Sequence, residues 1–377
     1  MFSSLPAETK LDIFKFLNYQ QLCLVKQTNL YFREFIDKYE GEFAREKFYD
    51  ISIVYFDQYK GRLHTHKLIK PKIENFDFPL NERFEEKWKH GLENPIHLYL
   101  SNRYSDKNAF CLIKVRDFEE RYLLHLPTII KNKDDLKIVY YYLNKLFNCS
   151  FQRCYFGDFF FNPELIQLLF GRVPKQFYIQ DCDLFISAYT IQNIFKFILN
   201  NLVGELLRVD FLLDDDITEK YINILFKIII NGDKFRKINL KIYICTRNFD
   251  RNMNVATLYD QIVEYMATSS DCSKMMSVIV FDFSTFTSLR LSERAEKVRI
   301  QQLDDTKYTD YQIVNIHNPK VRFSFCNEEK ESFSGFDVKI EIRKEQYFEV
   351  ENNVFDLSAN YTNIFKKIFQ FFFHLFF

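Results

Sequence analysis

INLKIYI, residues 238–244, alternates apolar and polar side chains without a break. Successive side chains of a strand point to opposite faces, so Ile238, Leu240, Ile242 and Ile244 share one face while Asn239, Lys241 and Tyr243 share the other. One face is therefore buried and the other meets water. A strand covered on both sides would be apolar throughout. Outward from this stretch, strand-like runs recur near Arg153–Gly157, Phe177–Leu184, Leu206–Leu212 and Val278–Phe283, their starts roughly 25 to 40 residues apart.

Helical segments with their own end signals separate these runs. Asn132 precedes Lys133-Asp134-Asp135 and a helix carrying Ile138, Tyr142 and Leu146. Asn162-Pro163-Glu164 is an N-cap followed by a proline suited to the first turn, and Gly171 closes that helix. Ser187 opens the next, with Ile191, Ile194, Phe195, Ile198, Leu199 and Leu202 at helical spacing. Asp216 with Glu219 reads as a capping box, and Asp214-Asp215-Asp216 as capping carboxylates rather than a metal or acid–base cluster. Asn254 opens a last helix with Leu258, Ile262 and Met266.

Strand–helix units at this spacing predict an α/β fold, a parallel sheet with helices on one side. The array resembles a divergent leucine-rich repeat domain, without the regular L-x-x-L-x-L-x-x-N signature. The alternative is an irregular open α/β sheet. Open solvent-side positions of such an array are the usual recognition surface, which makes Gln180, Arg208, Asp210, Asn239, Lys241 and Tyr243 the candidate substrate contacts. Beyond about residue 310, Tyr311–Ile316, Val321–Phe325 and Val338–Ile342 read as strands with no helices between them, an antiparallel cap. The tail IFKKIFQFFFHLFF, residues 364–377, predicts a terminal helix packed on the last units, with an interfacial or tail anchor as the alternative.

Composition narrows the function. The 377 residues carry 51 Lys+Arg against 51 Asp+Glu, so no long-range field favours general nucleic-acid binding. Only 8 glycines leave little room for phosphate-cradling loops. No G-x-S-x-G, H-E-x-x-H, G-x-G-x-x-G or P-loop occurs. The eight cysteines are scattered with no C-x-x-C and read as reduced, mostly buried thiols. His64 and His66, with His90 and His97 further on, find no close Cys or carboxylate to complete a metal set. No cofactor and no metal is expected. The start MFSSLPAE has neither a basic n-region nor an apolar h-region, which predicts a cytoplasmic or nuclear protein.

Residues 5–36 pose a separate question. Pro6 suits a helix first turn, Glu8 complements the helix dipole, and the helix runs to about Leu17. Leu11, Ile13, Phe14, Phe16 and Leu17 cover an arc of roughly 220° on it, about twice what one core needs. A second apolar set follows, Leu22, Leu24 and Val25, then Leu30, Phe32, Phe35 and Ile36. Three short helices within about 45 residues cannot bury this much surface alone.

L-P-x-E at 5–8, I-F-x-F-L at 13–17 and the L-x-x-V-x-x-x-x-x-x-F series at 22–32 resemble the F-box, with Gln21 and Phe32 in place of the frequent Asp and Trp. The resemblance covers about the first 45 residues. It implies docking on the Skp-type adaptor of a cullin-based ubiquitin ligase, with Leu5, Pro6, Ile13, Phe14, Leu17, Leu22, Val25, Phe32 and Ile36 as the adaptor contacts. The expected organisation is an F-box module (1–48), a linker or entry region of mixed structure (49–120) that includes the basic run 60–72 and the charged run 82–90 around Trp88, a βα-repeat domain (121–310) and antiparallel strands with the apolar tail (311–377). The expected function is a non-enzymatic substrate receptor whose partners are the adaptor, through it a cullin, and an unknown protein target, with no nucleic acid and no membrane. A repeat scaffold without that role, or an enzyme with a site at the strand C-termini, are the alternatives.

Overall fold

The structure, a computed structural model, describes residues 5–55, 66–72, 95–101, 109–115, 121–171, 175–186, 191–213, 219–232, 234–244, 253–285, 288–332 and 335–345. Residues 60–65 of the basic run, the charged run 82–90, Asp214-Asp215-Asp216, Ser187, the Tyr243 and Asn254 side chains and the tail 364–377 lie outside the described residues.

Three helices open the chain: α1 (Ala7–Lys15), α2 (Tyr19–Thr28) and α3 (Leu30–Lys38). Their ends follow from local chemistry. Asn18 and Gln21 form a reciprocal capping box at α2, each backbone N–H donating to the other's side-chain oxygen at 2.9 Å. Asn29 ends α2 in an extended conformation and caps α3 by accepting from the Phe32 N–H at 2.9 Å. Phe14, Leu22, Ile36 and Phe43 form a small core of their own, with the Phe14 ring against Phe32, Phe35 and Phe43.

The rest of the described chain is one mixed α/β body. In chain order its elements are β1 (Glu46–Tyr55), β2 (Lys67–Ile69), β3 (Ile96–His97), β4 (Tyr99–Ser101), β5 (Ala109–Lys114), β6 (Arg121–Leu124), β7 (Ile129–Ile130), α4 (Lys133–Phe147), β8 (Cys149–Phe156), β9 (Phe159–Phe161) and α5 (Pro163–Phe170). Then come β10 (Phe177–Ile186), α6 (Ile191–Asn201), β11 (Leu202–Leu213), α7 (Glu219–Ile230), β12 (Phe235–Ile244), α8 (Met253–Thr268) and β13 (Val278–Thr285). The chain's described part closes with β14 (Glu296–Leu303), β15 (Thr306–Val314), β16 (Arg322–Ser332) and β17 (Gly335–Glu345).

Thirteen of these strands form a single sheet in the order β14-β15-β16-β17-β13-β12-β11-β10-β8-β1-β5-β6-β2. β8, β10, β11, β12 and β13 are parallel neighbours, and each connection moves one place along the sheet in the same direction. Crossovers between parallel strands are right-handed, so steps in one direction put every connecting helix on the same face. Leu165, Ile194, Ile228 and Ile262 of the helices meet Phe151, Ile179, Leu207, Ile238 and Ile279 of the strands in one continuous core. On β8 and β10–β12 the described side chains of the opposite face are exposed or half-buried, whereas on β5 and β6 Phe110, Leu112 and Leu123 are buried there.

The caps expected at Asn132 and Asn162 are present: Asn132 Oδ1 accepts from Asp135 N at 2.8 Å, and Asn162 Oδ1 from Glu164 N at 3.0 Å. Gly171 ends α5 at φ 79°, a left-handed conformation that favours glycine. Two parts of the organisation differ from expectation. Within the expected entry region 49–120, the described strands join the large sheet: β1 lies parallel beside β8 and antiparallel beside β5, and β6 and β2 extend the sheet. The antiparallel strands likewise begin before residue 311, with β14 and β15, and continue the same sheet through β17 beside β13.

Candidate functional site

The open face is where the sequence-derived substrate candidates fall. Gln180 stands on β10, Arg208 and Asp210 on β11, Asn239 and Lys241 on β12, and none of these five is buried. The register aligns them in rows: Asp183 pairs with Arg208 and Arg208 with Asn239, while Asp210 pairs with Lys241 and Lys241 with Asp282. Five side chains from three strands thus share one surface. The Tyr243 side chain lies outside the described residues.

A shared irregularity shapes this face. The pairs Gln152-Arg153, Gln180-Asp181, Glu205-Leu206 and Arg236-Lys237 each put two successive unburied residues at the same level of adjacent strands. The alternation then resumes one residue out of phase, so Phe151 and Cys154 are both interior. Each strand presents an extra residue at that level, polar on β8, β10 and β12 and Leu206 on β11.

Its electrostatics are a mosaic of opposite charges. Arg208 donates to Asp183 at 2.9 Å and to Asp181 at 3.4 Å. The Asp183 hydrogen bond holds the guanidinium above its ordinary pKa, against partial burial. Partial burial pushes the Asp210 carboxyl up, opposed by the nearby Lys241. Lys241 also approaches Asp282 at 3.8 Å, and Lys339 approaches Glu328 at 3.7 Å on the antiparallel strands. Such a face can recognise a chain by hydrogen bonds and charge pairs.

Among the described residues no three His, Cys, Asp or Glu are placed to hold a metal ion, and no helix is long and apolar enough to cross a membrane. Cys111, Cys149, Cys154, Cys182 and Cys272 are buried free thiols, and Cys23 and Cys326 are half-buried. Cys245 lies outside the described residues. Burial pushes the thiols of Cys111 and Cys154 well up and that of Cys149 up to about 12, which suppresses thiolate chemistry.

The helical module corrects the expected adaptor contacts. Phe14 is 1% exposed, and Leu22 and Ile36 are equally interior, so these three are core rather than docking anchors. Leu17, Val25 and Phe32 pack against that core. Leu5, Pro6 and Ile13 remain at the surface. The most exposed apolar side chains of the module are Phe16 at 66%, Leu24 at 64% and Leu30 at 65%, with Tyr31 less so. Apolar arc alone could not say which residues face inward; the capped turns at Asn18 and Asn29 fold the three helices so that the Phe14 side closes.

Residues 69–212 match the family model of a domain of unknown function, DUF8381. The match runs from the end of β2 into β11, and so takes in less than half of the chain. No curated protein and no solved structure matches.

Proposed function

We propose that the chain is a substrate receptor of a cullin-type ubiquitin ligase, with an F-box-like module that holds a Skp-type adaptor and a leucine-rich-repeat-like open sheet face that holds a target protein. The observation that carries this reading is the outward set Phe16, Leu24 and Leu30 on a three-helix module that already fills its own core with Phe14, Leu22, Ile36 and Phe43. Large apolar side chains this exposed on so small a unit mark an interface. The L-P-x-E start and the singly wound sheet agree with it. The protein makes no bonds itself in this role; it raises the local concentration of target beside the ubiquitin-loading machinery.

Co-purification with a Skp-type adaptor tests the reading. Wild type binds. Phe16→Ser with Leu24→Ser and Leu30→Ser abolishes binding, since buried interface anchors cost about 2 kcal/mol or more each when truncated. These positions are exposed, so the fold is unaffected. Adaptor binding that survives the triple substitution, or that wild type lacks, sinks the proposal.

A further inference from the structure

The beginnings of β1, β8 and β10 and the turn between α1 and α2 enclose a cleft of about 1210 Å³. Two cations mark it. Arg45, one residue before β1, sits 5.7 Å from the centre of the Tyr178 ring and donates one N–H to the Phe147 carbonyl at 2.7 Å. Lys47 is exposed and pairs in register with Ser150, which pairs with Tyr178. Among the described residues no carboxylate pairs with either cation. Glu46, between them, also lines the cleft without pairing with either cation; its charge adds to the burial that raises the pKa values of Tyr19 and Cys149. Burial already lowers the pKa of Arg45, so its charge is costly there. A partly desolvated guanidinium without a counter-charge is the kind of group that a bound anion stabilises.

The spacing says what form the anion takes. Side chains two apart along a strand lie on one face about 7 Å apart. A second extended chain repeats its own side chains at the same interval. Carboxylates at alternate positions therefore meet Arg45 and Lys47 in step, whereas one phosphate engages one cation. Gln152 and Gln180 line the same cleft with exposed amides suited to a partner's backbone, and Tyr178 offers a flat aromatic surface.

We infer that this cleft binds an extended acidic peptide segment with carboxylates at alternate positions, anchored by Arg45 and Lys47. It names the class of target for the receptor proposed above and rests on that reading, but the binding itself needs no adaptor.

The test is fluorescence anisotropy on the full chain without adaptor. The probes are a labelled Gly-Glu-Ser-Glu-Ser-Glu-Gly peptide, its glutamine counterpart, and that glutamine peptide with both serines phosphorylated. The glutamate peptide binds, and more weakly as salt rises. Lys47→Gln weakens it about tenfold and Arg45→Gln by at least as much, while Lys196→Gln, on the exposed side of α6, leaves it unchanged. Lys47 is a surface residue, so its substitution keeps the test meaningful even if Arg45→Gln disturbs the contact with Phe147. No binding of the glutamate peptide, equal binding of the glutamine peptide, preference for the phosphorylated peptide, or indifference to Lys47→Gln overturns the inference. Failure here with adaptor binding intact removes the acidic target and leaves the receptor; loss of adaptor binding alone does the reverse.

Discussion

Glu329 is a charged residue on the covered side of the sheet, buried among β15, β16 and the segment before β14. Its carboxylate accepts from Ser288 Oγ at 2.6 Å, Leu289 N–H at 2.9 Å and Lys307 Nζ at 3.0 Å. Burial alone would raise its pKa; these three donors more than offset that and hold it below the ordinary value. A carboxyl lowered on folding stabilises the native state above its unfolded pKa of about 4.3, and that contribution is lost as pH falls through the folded value. Glu329→Gln therefore costs about 2 kcal/mol at pH 7, read as a lower urea midpoint, and the difference from wild type shrinks below about pH 4. A pH-independent cost would show that the charge is not what stabilises this corner. The open-face candidates Gln180, Arg208, Asp210, Asn239 and Lys241 were legible in the sequence because alternation assigns faces directly. Arg45 and Lys47 were not: the run Arg45–Asp50 mixes charged and aromatic residues with no period that marks it as a strand. Phe14 was legible as a signature residue, yet its inward direction depends on how three helices fold together.

At the scale of elements, the aligned double-residue level across β8, β10, β11 and β12 has a steric requirement at Gly204. A Cβ there would fall 1.6 Å from the Ile179 carbonyl oxygen of β10. Gly204 pairs with Ile179 on one side and Phe235 on the other, so neither neighbour can retreat without opening the ladder. Gly204→Ala is expected to destabilise the sheet by about 3 kcal/mol, seen in thermal or urea unfolding. Gly41→Ala, whose Cβ would meet nothing within 4 Å, is the matched control and shifts stability by less than about 0.5 kcal/mol. Equal effects of the two would discount the close approach. The parallel strands were readable because each buries one face of alternating apolar residues between capped helices. β14 was not, because every one of its residues is exposed and Val298, Ile300 and Leu303 have no covering element to give the run a face. β1 was half readable: Ile51 and Ile53 are buried and apolar, whereas Glu46–Asp50 mixes charged residues with Phe48, which stacks on Phe151.

The whole chain up to Glu345 divides its apolar interior unequally. One core runs from Ile51 to Ile342, while the N-terminal helices keep Phe14, Leu22, Ile36 and Phe43 to themselves. The two parts touch through polar links, Arg45 Nη1 to the Phe147 carbonyl at 2.7 Å and Asn148 Nδ2 to Glu40 Oε2 at 2.7 Å. Hydrogen bonds at a partly wet boundary contribute about 1 kcal/mol each, too little to make two cores unfold as one. Domains this small hold only a few kcal/mol of net stability, and a buried Phe→Ala change costs about 3–5 kcal/mol. Phe14→Ala should therefore melt the helical module alone. Native-state hydrogen exchange would show amides in α1, α2 and α3 losing protection while those of β8 and β10–β13 keep theirs. The proposed adaptor binding would vanish with the module's order, although Phe14 is interior. Acidic-peptide binding would weaken less, because the cleft's cations and amides stand beside the sheet and only Asn18, Tyr19 and Gln20 come from the helices. Protection lost together across helices and strands would instead mean that the polar links at Arg45 and Asn148 make the described body a single cooperative unit.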